Sequence, residues 1–225
     1  MKIIKYLAII PARSGSKRLR KKNLRKIKTS TLLDLSIKST IKCPEIKTVI
    51  LSTDIKKFFK YKNKKVFLVK RPRQLARDNC STESAILHAV HLFKKENRVN
   101  IKNIILLQPT SPLRNSQDIR KAIKTFETKK CDSLLSVYKQ KLCLWRKKNN
   151  FYLAKNYKIN KYKTIGGQFQ TEEIIENGAI YIFDFKLFFK FKIRLFKNIG
   201  ISFMSKKNSI EIDTIEDLKL ARALS

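Results

Sequence analysis

Six short apolar runs, at 7–10, 49–52, 66–69, 104–107, 133–137 and 179–183, recur along this chain with helix-like stretches between them. Runs this short and uninterrupted predict strands covered on both faces, hence a mostly parallel sheet between layers of helices. The intervening segments carry the helical period. Over 82–94, Ile86, Ala89, Val90 and Phe93 form one apolar stripe, with Ser81 placed to cap it. Ile119, Ala122, Ile123 and Phe126 do the same after Ser116, and a last helix after Asp213 turns Leu218, Ala221 and Leu224 to one side. At 225 residues, one α/β domain over 1–225 is the economical arrangement. The stretch 138–176 interrupts the rhythm with Trp145, several Tyr and Phe, and Gly166-Gly167 among many Lys and Asn residues.

The first run stops at Pro11 and opens into Ala12-Arg13-Ser14-Gly15-Ser16-Lys17, with Lys22-Asn23 close behind. Small residues let a polyphosphate approach the backbone, whose free N–H groups bind its oxygens while interleaved cations neutralise its charge. A buried strand feeding such a loop places a nucleotide at the carboxyl edge of a sheet. A dinucleotide fingerprint needs three glycines where only Gly15 stands, and Ser16 separates Gly15 from Lys17, which a Walker A loop does not allow. On chemistry alone, a nucleotide loop and a basic surface turn both remain open.

The net charge of +35 raises nucleic acid or an anionic membrane as partners. Yet 39 of the 52 basic residues are Lys, and they are spread along the chain. Lys, Asn, Ile and Phe share A/T-rich codons, so compositional drift accounts for the excess, and no nucleic-acid partner is expected. No apolar run reaches the ~20 residues that span a bilayer. Met1-Lys2-Ile3-Ile4-Lys5 leads straight into the first strand, and Cys43, Cys80, Cys131 and Cys143 are scattered with no C-x-x-C pair. A cytoplasmic chain with free thiols and no membrane partner is expected.

Four separated strings resolve the ambiguity of the first loop. Ile9-Ile10-Pro11-Ala12-Arg13-Ser14-Gly15-Ser16-Lys17 with Lys22-Asn23 comes first, then Leu107-Gln108-Pro109-Thr110-Ser111-Pro112-Leu113-Arg114. Asn177-Gly178-Ala179-Ile180-Tyr181-Ile182 and Ser209-Ile210-Glu211-Ile212-Asp213-Thr214 follow in that order. Together they resemble the acylneuraminate cytidylyltransferase (CMP-sialic acid synthetase) family over nearly the whole chain. The resemblance implies a three-layer Rossmann-like nucleotidyltransferase fold, with 138–176 as an extension that packs on a second subunit of a homodimer. It implies transfer of CMP from CTP to the anomeric hydroxyl of a nine-carbon acid sugar, of sialic or legionaminic type, with release of pyrophosphate. Lipopolysaccharide or capsule biosynthesis is the setting that such an activity implies.

By motif position, Arg13, Ser16, Lys17, Lys22 and Asn23 match the family's triphosphate loop, with Lys22 on the α-phosphate. Arg71-Pro72, Leu75-Ala76, Asp78 and Ser81-Thr82 resemble the segment that holds cytosine and ribose, with Arg71, Cys80 and Thr82 facing the nucleoside. Gln108 and Ser111, with Gln168, Asn177 and Tyr181, are the sugar-site candidates, and Arg114 steadies the turn beside Gln108. Glu211 and Asp213 sit at i and i+2, so an extended backbone turns both carboxylates outward while Ile210 and Ile212 face the core. Paired hard oxygens beside a triphosphate suit Mg²⁺, and Lys22, Arg13 and Asp213 are the catalytic candidates. Asp213 with Glu216 also fits a capping box for the last helix. His88 and His91 have no Cys or carboxylate clustered with them and are read as helix-surface or packing residues.

Three positions depart from the family: Glu211 stands where Asp is usual, and Lys28-Thr29-Ser30-Thr31 replaces a Gly-Lys-Pro. Gly167, followed by Gln168, stands where an Arg usually grips the sugar's carboxylate. Pseudaminate and octulosonate cytidylyltransferases, a nucleotide-binding remnant without turnover, and a basic nucleic-acid-binding protein are the alternatives.

Overall fold

The computed structural model describes residues 2–156 and 172–225. The chain enters through β1 (Ile3–Ala12), crosses a small hairpin of β2 (Lys26–Ile27) and β3 (Ser30–Thr31), and forms α1 (Leu32–Ile41). β4 (Thr48–Thr53), β5 (Val66–Lys70), α2 (Thr82–Asn97), β6 (Asn100–Leu107) and α3 (Ser116–Thr128) follow. Then come β7 (Ser133–Lys141), the β8 (Trp145–Lys148) and β9 (Phe151–Ala154) hairpin, and β10 (Glu172–Asp184). α4 (Phe185–Phe191), β11 (Ile199–Phe203) and α5 (Ile215–Ala223) complete the described elements.

Seven strands form the main sheet in the order β11-β7-β10-β6-β1-β4-β5. The pairs β1–β4, β1–β6, β4–β5 and β7–β11 are parallel, while β10 runs antiparallel between β6 and β7. The mostly parallel α/β expectation is met, and its cause is visible in β1. Ala8 and Ile10 point into a core with Leu33 and Ile37 of α1 and Ile119, Ala122 and Ile123 of α3. Leu7 and Ile9 point the other way, against Ile86, Ala89 and Phe93 of α2 and Phe188 of α4. Both faces are buried, so both sets of side chains are apolar.

α1, α4, β11 and the two small hairpins were not read from the sequence. α1 is set by a capping box in which Thr31 accepts from the Asp34 N–H while Asp34 reaches back to the Thr31 N–H. β11 lies at the sheet edge, where only alternate residues are buried. Gly200 of β11 is required by the Cys131 thiol, which lies against the position a Cβ would take. The cap of the last helix also differs from expectation. Thr214 and Asp217 form the box, one residue later than Asp213 and Glu216, which leaves the side chain of Asp213 free of capping duty. Leu218 and Ala221 are buried as expected, whereas Leu224 caps the helix end and is partly exposed.

A third, smaller apolar cluster joins Leu19 of the first loop, Ile27, Leu32, Ile212, Leu218 and Ala221. It clamps the segment after β1 against the chain just before α5, and so fixes Glu211 and Asp213 beside that loop. Cys43, Cys80 and Cys131 are free thiols. Among the described residues no helix is long and apolar enough to cross a membrane.

Candidate active site

At the carboxyl edge of the sheet a cavity of about 450 Å³ lies between the loop after β1, the segment leading into α2 and the end of β6. Arg13, Ser16, Lys17, Lys22, Asn23, Arg71, Cys80, Thr82 and Gln108 all line it. Residues read from two distant motifs are thus brought to one space. Arg18 and Arg77 line it too. Six cations against one lining acid, Asp78, make the cavity a site for a polyanion.

The loop is braced from below. The Asn23 amide, itself buried, donates to the Arg13 carbonyl at 2.8 Å. The Ser14 N–H and hydroxyl donate to the two Asp54 carboxylate oxygens, each at 2.6 Å, at the end of β4. Arg71 is buried, with its Nε donating to Ser52 Oγ at 3.2 Å and its Nη2 to the Ser52 carbonyl at 3.0 Å. Burial lowers its guanidinium pKa to about 10, so it stays charged at neutral pH. Ser81 caps α2 by accepting from the Ser84 N–H at 3.1 Å, leaving Thr82 at the first turn on the cavity wall.

Each end of the cationic loop closes on an acid. Arg13 and Lys17 reach Asp78 at 2.7 and 3.1 Å. Lys22 and Arg18 take separate oxygens of Asp213, both at 2.8 Å. The Ile212 N–H donates to the Thr110 carbonyl at 2.7 Å, and Thr110 Oγ1 lies 3.3 Å from Glu211, so both carboxylates stand next to cavity-lining residues. Burial, then the charge of Asp213, raises the Glu211 pKa above its usual 4.5. Gly178, at φ +66°, opens the space that Glu211 fills, its carboxylate oxygens lying 3.4 Å from where a Cβ would stand. Ile212 is buried between the two acids, as the alternation predicted.

Three sugar-site candidates are not placed to touch a ligand in this way. Ser111 is fully buried, and its hydroxyl has no hydrogen-bond partner. Asn177 is also buried; it accepts from Ser136 Oγ at 2.6 Å and donates to Ser209 Oγ at 2.8 Å. It therefore ties the third and fourth motifs together where β10 shifts register against β7. Tyr181 is buried, with its hydroxyl on Glu176 and the Arg194 guanidinium 4.6 Å above its ring. A motif residue held for packing looks the same in sequence as one held for a ligand. Gln168, with Gly167, lies outside the described residues.

Arg18, Asp54 and Thr110 were not singled out from the sequence. Their partners lie 195, 40 and 101 residues away, at Asp213, Ser14 and Glu211, beyond the reach of any local pattern. His88 and His91 lie in a groove between α2 and α4, and no group of three or more His, Cys, Asp or Glu among the described residues could hold a metal ion.

A family described as Cytidylyltransferase matches residues 7–224. The chain is 30% identical over 96% of its length to N-acylneuraminate cytidylyltransferase of Escherichia coli, and spans about half (51%) of that relative. It is 27% identical to pseudaminic acid cytidylyltransferase of Campylobacter jejuni, covering 98% of this chain and 96% of that one. Its fold is similar to the structure of CMP:2-keto-3-deoxy-manno-octonic acid synthetase complexed with CTP, at 15% identity, a TM-score of 0.66 and 98% coverage of both chains. A Francisella tularensis 2-C-methyl-D-erythritol 4-phosphate cytidylyltransferase gives a TM-score of 0.65 at 12% identity, over 98% and 100% of the two chains.

Proposed function

Because the chain belongs to the cytidylyltransferase family, and so is a nucleotidyltransferase, we propose that it transfers CMP from CTP to the anomeric hydroxyl of a nine-carbon acid sugar. A sugar of sialic or legionaminic type is the first choice. The observation that carries this reading is the cavity lined by the cationic loop, at whose margin Lys22 and Arg18 of that loop pair with Asp213. Arg13 and Lys17 neutralise the β- and γ-phosphates, Ser16 offers its backbone and hydroxyl, and Lys22 meets charge developing at the α-phosphate. Arg71, Cys80 and Thr82 hold the nucleoside, and Gln108 reads a sugar hydroxyl. Asn23 acts by fixing the loop.

Glu211 and Asp213 would hold Mg²⁺. The fit is good: Mg²⁺ takes one or two carboxylates and completes its shell with phosphate oxygens and water, and two carboxylates beside a phosphate loop are what the chain supplies. The ion would neutralise charge on the transferring phosphate. We further propose one domain carrying an extension whose exposed face, with Phe151 (76% exposed), Tyr152 and Ile174, receives a second copy.

Incubation with CTP, Mg²⁺ and a panel of acid sugars should release pyrophosphate, and Lys22→Ala should lower the rate on the order of a hundredfold or more. No release with any sugar from folded protein would overturn the proposal. Pseudaminate belongs in the panel because of the Campylobacter relative.

A further inference from the structure

A surface outside the cavity, between α2 and α4, carries features the transferase reaction does not explain. Residues 185–197, Phe-Lys-Leu-Phe-Phe-Lys-Phe-Lys-Ile-Arg-Leu-Phe-Lys, contain five Phe and five cations and no acid. Phe188 is fully buried and anchors α4 to the sheet, with Phe185 and Leu187 partly buried beside it, while the remaining apolar residues turn outward. Phe189 is 58% exposed, Ile193 50% and Phe191 42%. Between α4 and α2 runs a groove of about 750 Å³ with apolar walls from Leu87, Val90 and Phe185, rimmed by Lys94, Lys95 and Lys192. The Lys192 ammonium lies 3.7 Å from the centre of the Phe189 ring, and Lys94 is 5.5 Å from that of Phe185. No acid, amide or hydroxyl side chain lines the groove.

We propose that this patch docks the enzyme reversibly on an anionic lipid surface. Exposed Phe and Ile between lysines match the acyl–headgroup boundary, where the rings and aliphatic chains enter and the ammonium groups meet acidic headgroups. A nucleic acid would meet the lysines with its phosphates and stack on the exposed rings, but would gain nothing from an exposed Ile193. The patch lies toward the C-terminal end of α2, whereas the N-terminal end lines the cavity. Thr82 on the cavity wall and Lys94 on the groove rim are roughly 18 Å apart along α2, and Leu87, where the groove begins, is roughly 7.5 Å from Thr82. The charge that composition assigned to drift has, at this face, a use.

The full chain should pellet with vesicles containing about a third phosphatidylglycerol in about 0.15 M salt, and not with pure phosphatidylcholine. Phe189→Ser/Phe191→Ser and Lys94→Ser/Lys95→Ser should each lower the bound fraction about tenfold while CTP binding persists. Ile193→Ser provides a second apolar variant should the Phe pair perturb α4. A control removing equal charge elsewhere, Lys121→Ser/Lys124→Ser, should change binding less than about twofold. Absence of pelleting, or equal loss in patch and control variants, would overturn the proposal. So would patch variants that lose only nucleic-acid binding, or only self-association, without any vesicle binding in the parent.

Discussion

Asp78 occupies Arg13 and Lys17 just as Asp213 occupies Lys22 and Arg18. The loop proposed to receive a triphosphate is therefore already engaged by two carboxylates of the same chain. Asp78 is held below its usual range by Lys17, then Arg13, so it competes as a full charge at neutral pH. Asp78→Asn should tighten CTP binding severalfold by calorimetry, and most at low salt, where exposed charges are least screened. An unchanged affinity would mean the acid moves aside at no cost. Glu211 makes the opposite case. Its raised pKa means the folded chain keeps the proton to higher pH than the unfolded chain does. Its contribution to stability is thus full below the ordinary carboxylate range and lost as pH climbs through the raised value. Glu211→Gln should be more stable than the parent at neutral pH, with the difference closing near pH ~4 in thermal melts. Metal activation should fail in the same variant.

At the scale of elements, the site depends on one buried cation. Arg114 is fully buried, with its Nη1 donating to the Gln108 and Ala179 carbonyls, both at 2.9 Å, and its Nη2 to Ser36 Oγ at 2.6 Å. It joins the turn after β6, the middle of β10 and α1, and burial lowers its pKa to about 10. Arg114→Ala strands three acceptors and leaves a void, and should cost about 3 kcal/mol or more in denaturant melts. Lys at this position cannot span three acceptors from one planar group, so Arg114→Lys should recover only part of the loss. Arg114 was legible as a turn brace because its motif is contiguous. The loop after β1 was legible for the same reason: residues 13–23 carry its cations and its brace Asn23 in one string. Asn177 was not legible as a core residue, because its partners Ser136 of β7 and Ser209 come from 41 and 32 residues away. Ser36, the third partner of Arg114, lies 78 residues away and left no local sign.

For the molecule as a whole, the lysine excess is written into the backbone. Among the described residues eight adopt a positive φ, and Gly178 is the lone glycine of that set. Lys21, Lys28, Arg98, Lys130, Lys192 and Lys197 hold six of the other places. A Cβ in the left-handed region costs roughly 1–2 kcal/mol, and helix ends of this kind favour glycine. Lys28, at φ +50°, sits in the β2–β3 turn, and Arg98 and Lys130 close α2 and α3. Glycine at each site should gain roughly 0.5–1 kcal/mol after the extra freedom it gives the unfolded chain. The three sites share no contacts, so Lys28→Gly/Arg98→Gly/Lys130→Gly should add up to about 1.5–3 kcal/mol. Removing three cations from a chain of net charge +35 would itself relieve repulsion. The triple alanine variant at the same positions removes the same charge and keeps the Cβ, so the glycine-minus-alanine difference in denaturation midpoint isolates the backbone effect. A difference near zero would show that these turns hold lysine without strain.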